Sequence, residues 1–282
     1  MELIRMQKAL EDYQTYKSYM SSPFKSIKHT TYFPVYDHLF ERFRGENITF
    51  VEIGVLGGGS LHMWRDYFGP HARIVGIDLN SQAKDLEQDG FEIFIGSQSD
   101  PIWLEAVFQE IGGFDILLDD GAHTNVAQVT TVEIASQFIN DNGVIVVEDT
   151  HTSYMLGFGL KRFSFMRYIK LMIDKINRRY AYFSENASCE KRFWSLEIFE
   201  SIVAFHVNKS ATSIRSLPTI NAGKDRYAED QMLLDSSVGN ALYLIRKKLP
   251  FLNKIKFVKD IAKFILQVAN IHKDLKISKF FK

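Results

Sequence analysis

Residues 49 to 147 carry five short apolar runs, at 49–53, 73–77, 91–95, 115–119 and 143–147, each followed by glycine or polar residues. The intervals between them have helical spacing at 60–68, 101–111 and 125–140. Short apolar strands alternating with helices predict a parallel, doubly wound α/β sheet, Rossmann-like in order. Two further runs, Trp194–Phe199 and Ser201–Val207, would complete seven strands. Residues 1–47 read as helices, clearest over 4–10 and 34–40. Between the fifth run and the closing pair, 151–192 is aromatic and basic. Phe163, Met166, Ile169, Met172 and Ile176 fall there at helical spacing, which reads as an inserted helical lid. The expected organisation is one domain over 1–209, comprising helices 1–47, a core of 48–150 and 193–209, and the lid. A polar connector and a helical extension follow over 210–282.

In an open α/β sheet, ligands bind beyond the carboxyl ends of the strands. Each of the five runs ends in residues with chemical potential. The first leads into Gly54-Val55-Leu56-Gly57-Gly58-Gly59-Ser60, and the second ends at Asp78, eighteen residues past Ser60. The third precedes Gly96-Ser97-Gln98-Ser99-Asp100, the fourth Asp119-Asp120-Gly121-Ala122-His123, and the fifth Glu148-Asp149-Thr150-His151.

A strand, a glycine turn, a helix and then an acid after the next strand suit an adenosine-containing ligand. Glycines let the backbone approach, and the carboxylate meets ribose hydroxyls. A dinucleotide fingerprint needs G-x-G-x-x-G, with a pyrophosphate at the helix N-terminus. Position 56 is leucine, and Glu52 would repel that anion. An acid there suits a ligand carrying an amine and a sulfonium. The pattern E-x-G-x-x-x-G-x-S resembles motif I of the class I S-adenosylmethionine methyltransferases.

Asp120, Glu148 and Asp149 fall at the ends of neighbouring strands, roughly 4.8 Å apart. Clustered carboxylates repel unless a cation joins them, and an all-oxygen donor set favours Mg²⁺. His123, three residues past Asp120, is placed to take a hydroxyl proton. His151 is a second histidine at the same edge.

Length and composition are those of a globular protein with ample core, about half of it apolar. The single cysteine, Cys189, excludes a disulfide framework or cysteine-based zinc site and fits a reducing compartment. No apolar run approaches the ~20 residues of a membrane span. The N-terminal residues lack the pattern of a signal peptide. A cytoplasmic enzyme is the expectation. Formal net charge is zero, yet Arg246–Lys282 carries +9 and the remainder −9. In 242–282 apolar residues recur every three or four positions (Leu249, Leu252, Ile255, Val258, Ile261, Ile265, Val268) among lysines. Two readings stay open: helices packed on the core or on a sister subunit in a homo-oligomer, or helices lying peripherally on an anionic membrane at its inner face. Nucleic acid is not an expected partner, since no basic stretch has the aromatic interleaving of a known module.

Taken together, Lys28-His29-x-x-Tyr32-x-x-x-Tyr36, the glycine loop, G-S-Q-S-D, D-D-G-A-H and V-V-E-D-T resemble the TylF/MycE group. These are the macrocin and mycinamicin sugar O-methyltransferases, and the related cephalosporin-hydroxylase proteins share the signature. The resemblance spans roughly 25–207. It implies Mg²⁺ held by Asp120, Glu148 and Asp149, with His123 as general base. It also implies S-adenosylmethionine on Glu52, Gly54, Val55, Leu56, Gly57 and Ser60. Asp78 would hold the ribose, Ser97 and Gln98 would edge the adenine, and Asp119 would lie nearby. Tyr32, Tyr36, His151 and Tyr154 are candidates for acceptor contact. The group often has aspartate at the position of Ser97, and the chain past 210 has no counterpart in it. The expected activity is Mg²⁺-assisted transfer of a methyl group to a sugar hydroxyl of a glycan, nucleotide sugar or glycosylated natural product. Competing readings are an NAD-dependent oxidoreductase and a non-catalytic cofactor-binding scaffold in polysaccharide assembly.

Overall fold

The computed structural model describes residues 9–180, 190–224, 237–249, 251–252 and 255–281. It divides into two compact units, one ending at Pro218 and the other beginning at Thr219. In the first, seven strands form one sheet: β1 Thr49–Ile53, β2 Arg73–Asp78, β3 Glu92–Ile95, β4 Phe114–Asp119, β5 Ile139–Val147, β6 Ser195–Ile198 and β7 Val203–His206. Their order is β3-β2-β1-β4-β5-β7-β6. All neighbours are parallel except β7, which runs antiparallel to β5 and to β6. The order reverses between β1 and β4, which is where such sheets open a ligand crevice.

Side chains alternate between the two faces, and both are covered. Phe50, Ile116, Leu118, Val144 and Val146 point into one core with helices α1 Gln14–Ser21, α2 Tyr32–Phe40 and α3 Gly59–Phe68. Its centre is aromatic, with Tyr36, Phe40, Phe50, Trp64 and Phe68 in stacked, edge-on and tilted contact. Val51, Ile53, Leu117, Ile145 and Val147 point into the other core, under α4 Pro101–Ile111, α5 Asn125–Ala135 and α6 Phe165–Asn177. Asp100 caps α4 by accepting from the Ile102 and Trp103 N–H groups, with Pro101 in the first turn.

Three elements differ from those expected. The helix from 125 stops at Ala135 rather than 140, and its chain enters β5 at Ile139. Residues 81–89 form a 3₁₀ stretch for which the strand-helix rhythm has no place. Helix α1 lies outside the two N-terminal helices read from the sequence; its Gln14 and Thr15 N–H groups are satisfied from afar by Asp37. The early helix expected at 4–10 lies mostly outside the described residues, as do 181–189 of the insertion and Cys189. Helix α6 buries Phe165, Ile169 and Met172 in the second core. A short helix, α7 Lys209–Ser213, opens the expected polar connector. In the second unit, α8 Ser237–Lys248 precedes Leu249, where the tail's recurring apolar positions begin, and α9 Lys256–Ile277 is helical as that spacing suggested. Among the described residues no helix is long and apolar enough to cross a membrane.

Candidate active site

A cavity of about 440 Å³ opens at the carboxyl ends of β1, β2, β4 and β5. Its walls bring together Gly54 and Leu56 from the glycine loop, Asp78 and Leu79, Ser97 and Gln98, Asp120–His123, and Glu148–Asp149. Lys28, His29 and Tyr32 close it from the N-terminal side.

The glycine loop is built for close approach. Gly54 has φ +89°, and a Cβ there would lie 2.3 Å from the Asp120 carbonyl oxygen. Leu56 also takes a left-handed φ of 45°, and its side chain is exposed at the rim. Asp78 braces the loop: its Oδ2 accepts from the Val55 and Leu56 N–H groups at 2.9 Å each, and its Oδ1 from Asn80 at 2.8 Å. Val55, Gly57 and Ser60 shape the loop from behind and are not among the wall residues.

Strand alternation sorts the carboxylates. Asp119 belongs to the α4–α6 face, where Gln98 donates to its Oδ1 at 2.9 Å and also to the Thr131 hydroxyl. Gln98 Oε1 accepts from the Ala122 N–H at 2.7 Å, so its carboxamide pins the 119–122 turn. Burial raises the Asp119 carboxyl, against the Gln98 and Gly121 hydrogen bonds.

Glu52, Asp120 and Glu148 fall on the opposite face, and there Lys28 meets them. Its Nζ lies 2.6 Å from Asp120 Oδ2, 3.2 Å from both oxygens of Glu148 and 3.7 Å from Glu52 Oε1. The Tyr36 hydroxyl donates to Glu148 Oε1, and Ser60 donates to Glu52 Oε2 at 2.8 Å. Burial alone would lower the Lys28 ammonium; Glu148, Asp120 and Glu52 around it instead raise it far above its usual range. One ammonium cannot neutralise three carboxylates. Burial accordingly pushes Glu52 up to about 7 and lifts Glu148 as well, both against the pull of Lys28.

Asp149 turns away from this group. Its φ of 55° is left-handed, as is the 53° of His123. Such conformations in non-glycine residues collect at functional sites. The Tyr32 hydroxyl donates to Asp149 Oδ1, and His123 Nε2 is 3.5 Å from Asp149 Oδ2 and 3.8 Å from Asp120 Oδ1. His29 Nε2 and His151 Nδ1 stand 3.9 Å from Asp149 Oδ1. Donor atoms of Asp120, His123 and Asp149 all lie within 4.8 Å of one another, close enough for one divalent ion. His123 Nδ1 is buried and has no hydrogen-bond partner among the described residues.

The structure thus gathers Asp120, His123 and Asp149 at one point and Glu148 at another. Glu52 and Tyr36 are fully buried within the wall rather than facing the cavity. Tyr154 is exposed on the one-turn 3₁₀ segment Thr150–Tyr154, outside it. Lys28, prominent in the sequence only as part of a motif, has a role that spacing does not reveal. A lysine before a helix gives no sign of burial; three acids sharing one strand face are the available clue.

No protein-family model matches the chain. Over 133 residues it is 38% identical to 8-demethyl-8-(2-methoxy-α-L-rhamnosyl)-tetracenomycin-C 3′-O-methyltransferase of Streptomyces olivaceus, spanning 45% of this chain and 34% of that one. It is 33% identical over 133 residues to mycinamicin VI 2″-O-methyltransferase of Micromonospora griseorubida, spanning 45% and 33% respectively. Its relatives are sugar O-methyltransferases. The chain spans about a third of the length of these curated relatives. Among solved structures it is similar to MycE methyltransferase in complex with Mg and S-adenosylhomocysteine. The TM-score is 0.64 at 25% identity, covering 73% of this chain and 56% of that one. The same enzyme with mycinamicin VI also bound gives 0.62. The Rossmann-like sheet is therefore that of the class I methyltransferases, and the TylF/MycE likeness read from the motifs holds in sequence and in fold.

Proposed function

We propose that this chain is an S-adenosylmethionine-dependent, Mg²⁺-assisted O-methyltransferase acting on a sugar hydroxyl. The observation that carries the reading is the convergence of Asp120, His123 and Asp149 beside the glycine-loop cavity. Gly54 and Leu56 would admit the cofactor, and Asp78, whose Oδ1 accepts only the Asn80 N–H, would meet its ribose through that oxygen. Leu79 and Ser97 would flank its adenine, with Gln98 and Asp119 holding that wall. Bound S-adenosylmethionine supplies an electrophilic methyl group. Bound Mg²⁺, on Asp120 and Asp149, supplies positive charge that acidifies a hydroxyl. Glu148 joins that set only by leaving Lys28 and Tyr36.

This chain's own residues supply the rest. Asp120 is held by Lys28 through one oxygen, which leaves the other facing His123 and the cavity. His123 presents Nε2 there and takes the hydroxyl proton as the oxygen attacks. Holding donor and acceptor in line is worth on the order of 7–11 kcal/mol, the largest single contribution asked of the fold. His29, Tyr32 and His151 surround Asp149 at the mouth and would position the acceptor. Residues 151–192 act as a specificity element.

Titration calorimetry with S-adenosylhomocysteine and with NAD tests the reading, followed by methyl transfer to glycosides with Mg²⁺ or EDTA. Binding of the first and metal-dependent transfer are expected. NAD binding instead would make the chain an oxidoreductase; S-adenosylhomocysteine binding with no transfer to any glycoside would make it a scaffold.

For the second unit we propose peripheral contact with anionic lipid at the inner face of the membrane. Phe257, Phe264, Val268, Ile271 and Leu275 are exposed on α9, in a segment rich in lysine. Co-sedimentation of the full chain with vesicles containing phosphatidylserine should be strong at low salt and weaken with added salt. A salt-insensitive dimer that ignores vesicles would instead make α9 a subunit contact.

A further inference from the structure

Thr152 is buried on the 3₁₀ segment Thr150–Tyr154, just past the end of β5. Its hydroxyl oxygen lies 2.8 Å from two carbonyl oxygens, those of His123 and Asp149. Both of these residues carry a left-handed φ. A threonine hydroxyl has one proton to give. The Asp149 carbonyl already accepts the Thr152 N–H at 3.0 Å. The His123 carbonyl has no other donor among the described residues. Satisfying both carbonyls therefore assigns the hydroxyl proton to His123.

That bond matters because little else holds the imidazole. A histidine base is usually oriented by a hydrogen bond on its second ring nitrogen. Here Nδ1 of His123 is buried and has no hydrogen-bond partner among the described residues. Its Nε2 faces Asp149 Oδ2 at 3.5 Å and Asp120 Oδ1 at 3.8 Å, distances too long to fix a ring. Orientation must come from the backbone, and a left-handed non-glycine residue persists only where its surroundings over-determine it. On one side Thr124 caps α5, accepting from the Ala127 N–H at 3.3 Å. Gln128 ties that helix to the end of β5 by donating to the Glu148 carbonyl at 2.9 Å. Thr152 adds the tie made to His123 itself.

We propose that Thr152 is a positioning residue whose hydroxyl, by holding the His123 carbonyl, aims the imidazole at the space between Asp120 and Asp149. The inference rests on the methyltransferase reading above and adds to it a residue outside the cavity wall. Asp149 keeps the Thr152 N–H whatever side chain stands at 152, so loss of the hydroxyl acts on the base and spares the metal-facing acid.

The test compares two variants of the full chain. Thr152→Val keeps the shape and removes the hydroxyl; Thr152→Ser keeps the hydroxyl and removes the methyl. Ring ¹⁵N–¹H spectra are recorded with S-adenosylhomocysteine and without Mg²⁺, His123 being assigned from its missing signals in His123→Ala. The valine variant should shift the His123 ring signals, and the serine variant should restore them. With Mg²⁺, S-adenosylmethionine and methyl α-L-rhamnopyranoside, kcat of the valine variant should fall by roughly 10–100-fold, the scale of a small misplacement. Its KM for the glycoside, and its Mg²⁺ affinity by calorimetry, should stay within about threefold of the parent's. Should the valine variant not fold, Thr152→Ala removes the same hydroxyl without crowding and takes its place.

Parent-like ring signals in the valine variant, or a serine variant that does not restore them, would overturn the proposal. So would a Mg²⁺ affinity that falls as far as kcat, since Thr152 would then be holding Asp149. If the parent chain transfers no methyl group to any glycoside, the methyltransferase reading goes, and the ring spectra still decide whether Thr152 orients His123.

Discussion

Glu148 and Asp149 leave the same strand one after the other, yet they work in opposite surroundings. Glu148 continues the β5 alternation onto the face packed by α1–α3 and is sealed there with Lys28, Tyr36 and Glu52. Asp149 follows with a left-handed backbone and swings to the open side among three imidazoles. Asp120 joins the two groups, with one oxygen on Lys28 and the other toward His123. A run of acids at strand ends is therefore not a single ligand set. Strand parity and one unusual φ divide it into a part that holds the wall and a part that faces the cavity.

Four perturbations probe that division. The largest effect belongs to the open side. His123→Ala should cut methyl transfer by about 10²–10⁴-fold with thermal stability close to the parent's, as followed by turnover and calorimetry. A rate near the parent's across the pH range would remove His123 as the base. On the sealed side, Lys28→Met should lower folding stability by about 3–5 kcal/mol in urea titration, because it leaves buried acids without their cation.

Glu52→Gln gives a pH signature. The folded carboxyl, lifted to about 7 from an ordinary 4.5, keeps a proton that the unfolded chain releases. Its stabilising contribution is therefore complete below about pH 4.5 and is lost as pH rises through 7. Between pH 5 and 8 the wild type should lose up to about 3 kcal/mol through this group, a loss the glutamine variant would not share. Denaturant midpoints of both proteins at the two pH values decide it. The smallest stability change is expected for Asp149→Asn, since asparagine tolerates a left-handed φ and the site is partly exposed: within about 0.5 kcal/mol. Its signature is weakened Mg²⁺ binding in calorimetry, and a stability loss rivalling that of Lys28→Met would erase the division.

Much of this arrangement is legible in the sequence, for reasons that differ by region. The strands announce themselves because both faces are covered, which makes each a continuous apolar run; β1 has the bounds read from it, and β2 and β4 extend theirs by one residue. The strand-end residues follow from that, since topology alone carries them to one edge. What the spacing does not carry is which way each side chain turns. Glu148 and Asp149 look equivalent as letters; the left-handed backbone of Asp149 leaves no trace in the spacing, and the partners that seal Glu148, Lys28 and Tyr36, lie more than a hundred residues earlier. The 3₁₀ stretch 81–89 and helix α1 escape for a different reason: they are held by contacts such as Lys84 with the Ile93 carbonyl and Asp37 with Gln14 and Thr15, not by periodicity.

The meeting of Gly54 with the Asp120 carbonyl has a further consequence. Main chain abuts main chain there, and the Asp120 N–H donates to the Ile53 carbonyl at 3.0 Å. No side chain acts as a spacer that substitution could lengthen or shorten. The gap between the glycine-loop pocket and the Asp120–His123–Asp149 cluster is consequently a property of the polypeptide itself. Substitution can change what the outer loops present to the cavity, but not how far apart those two places lie.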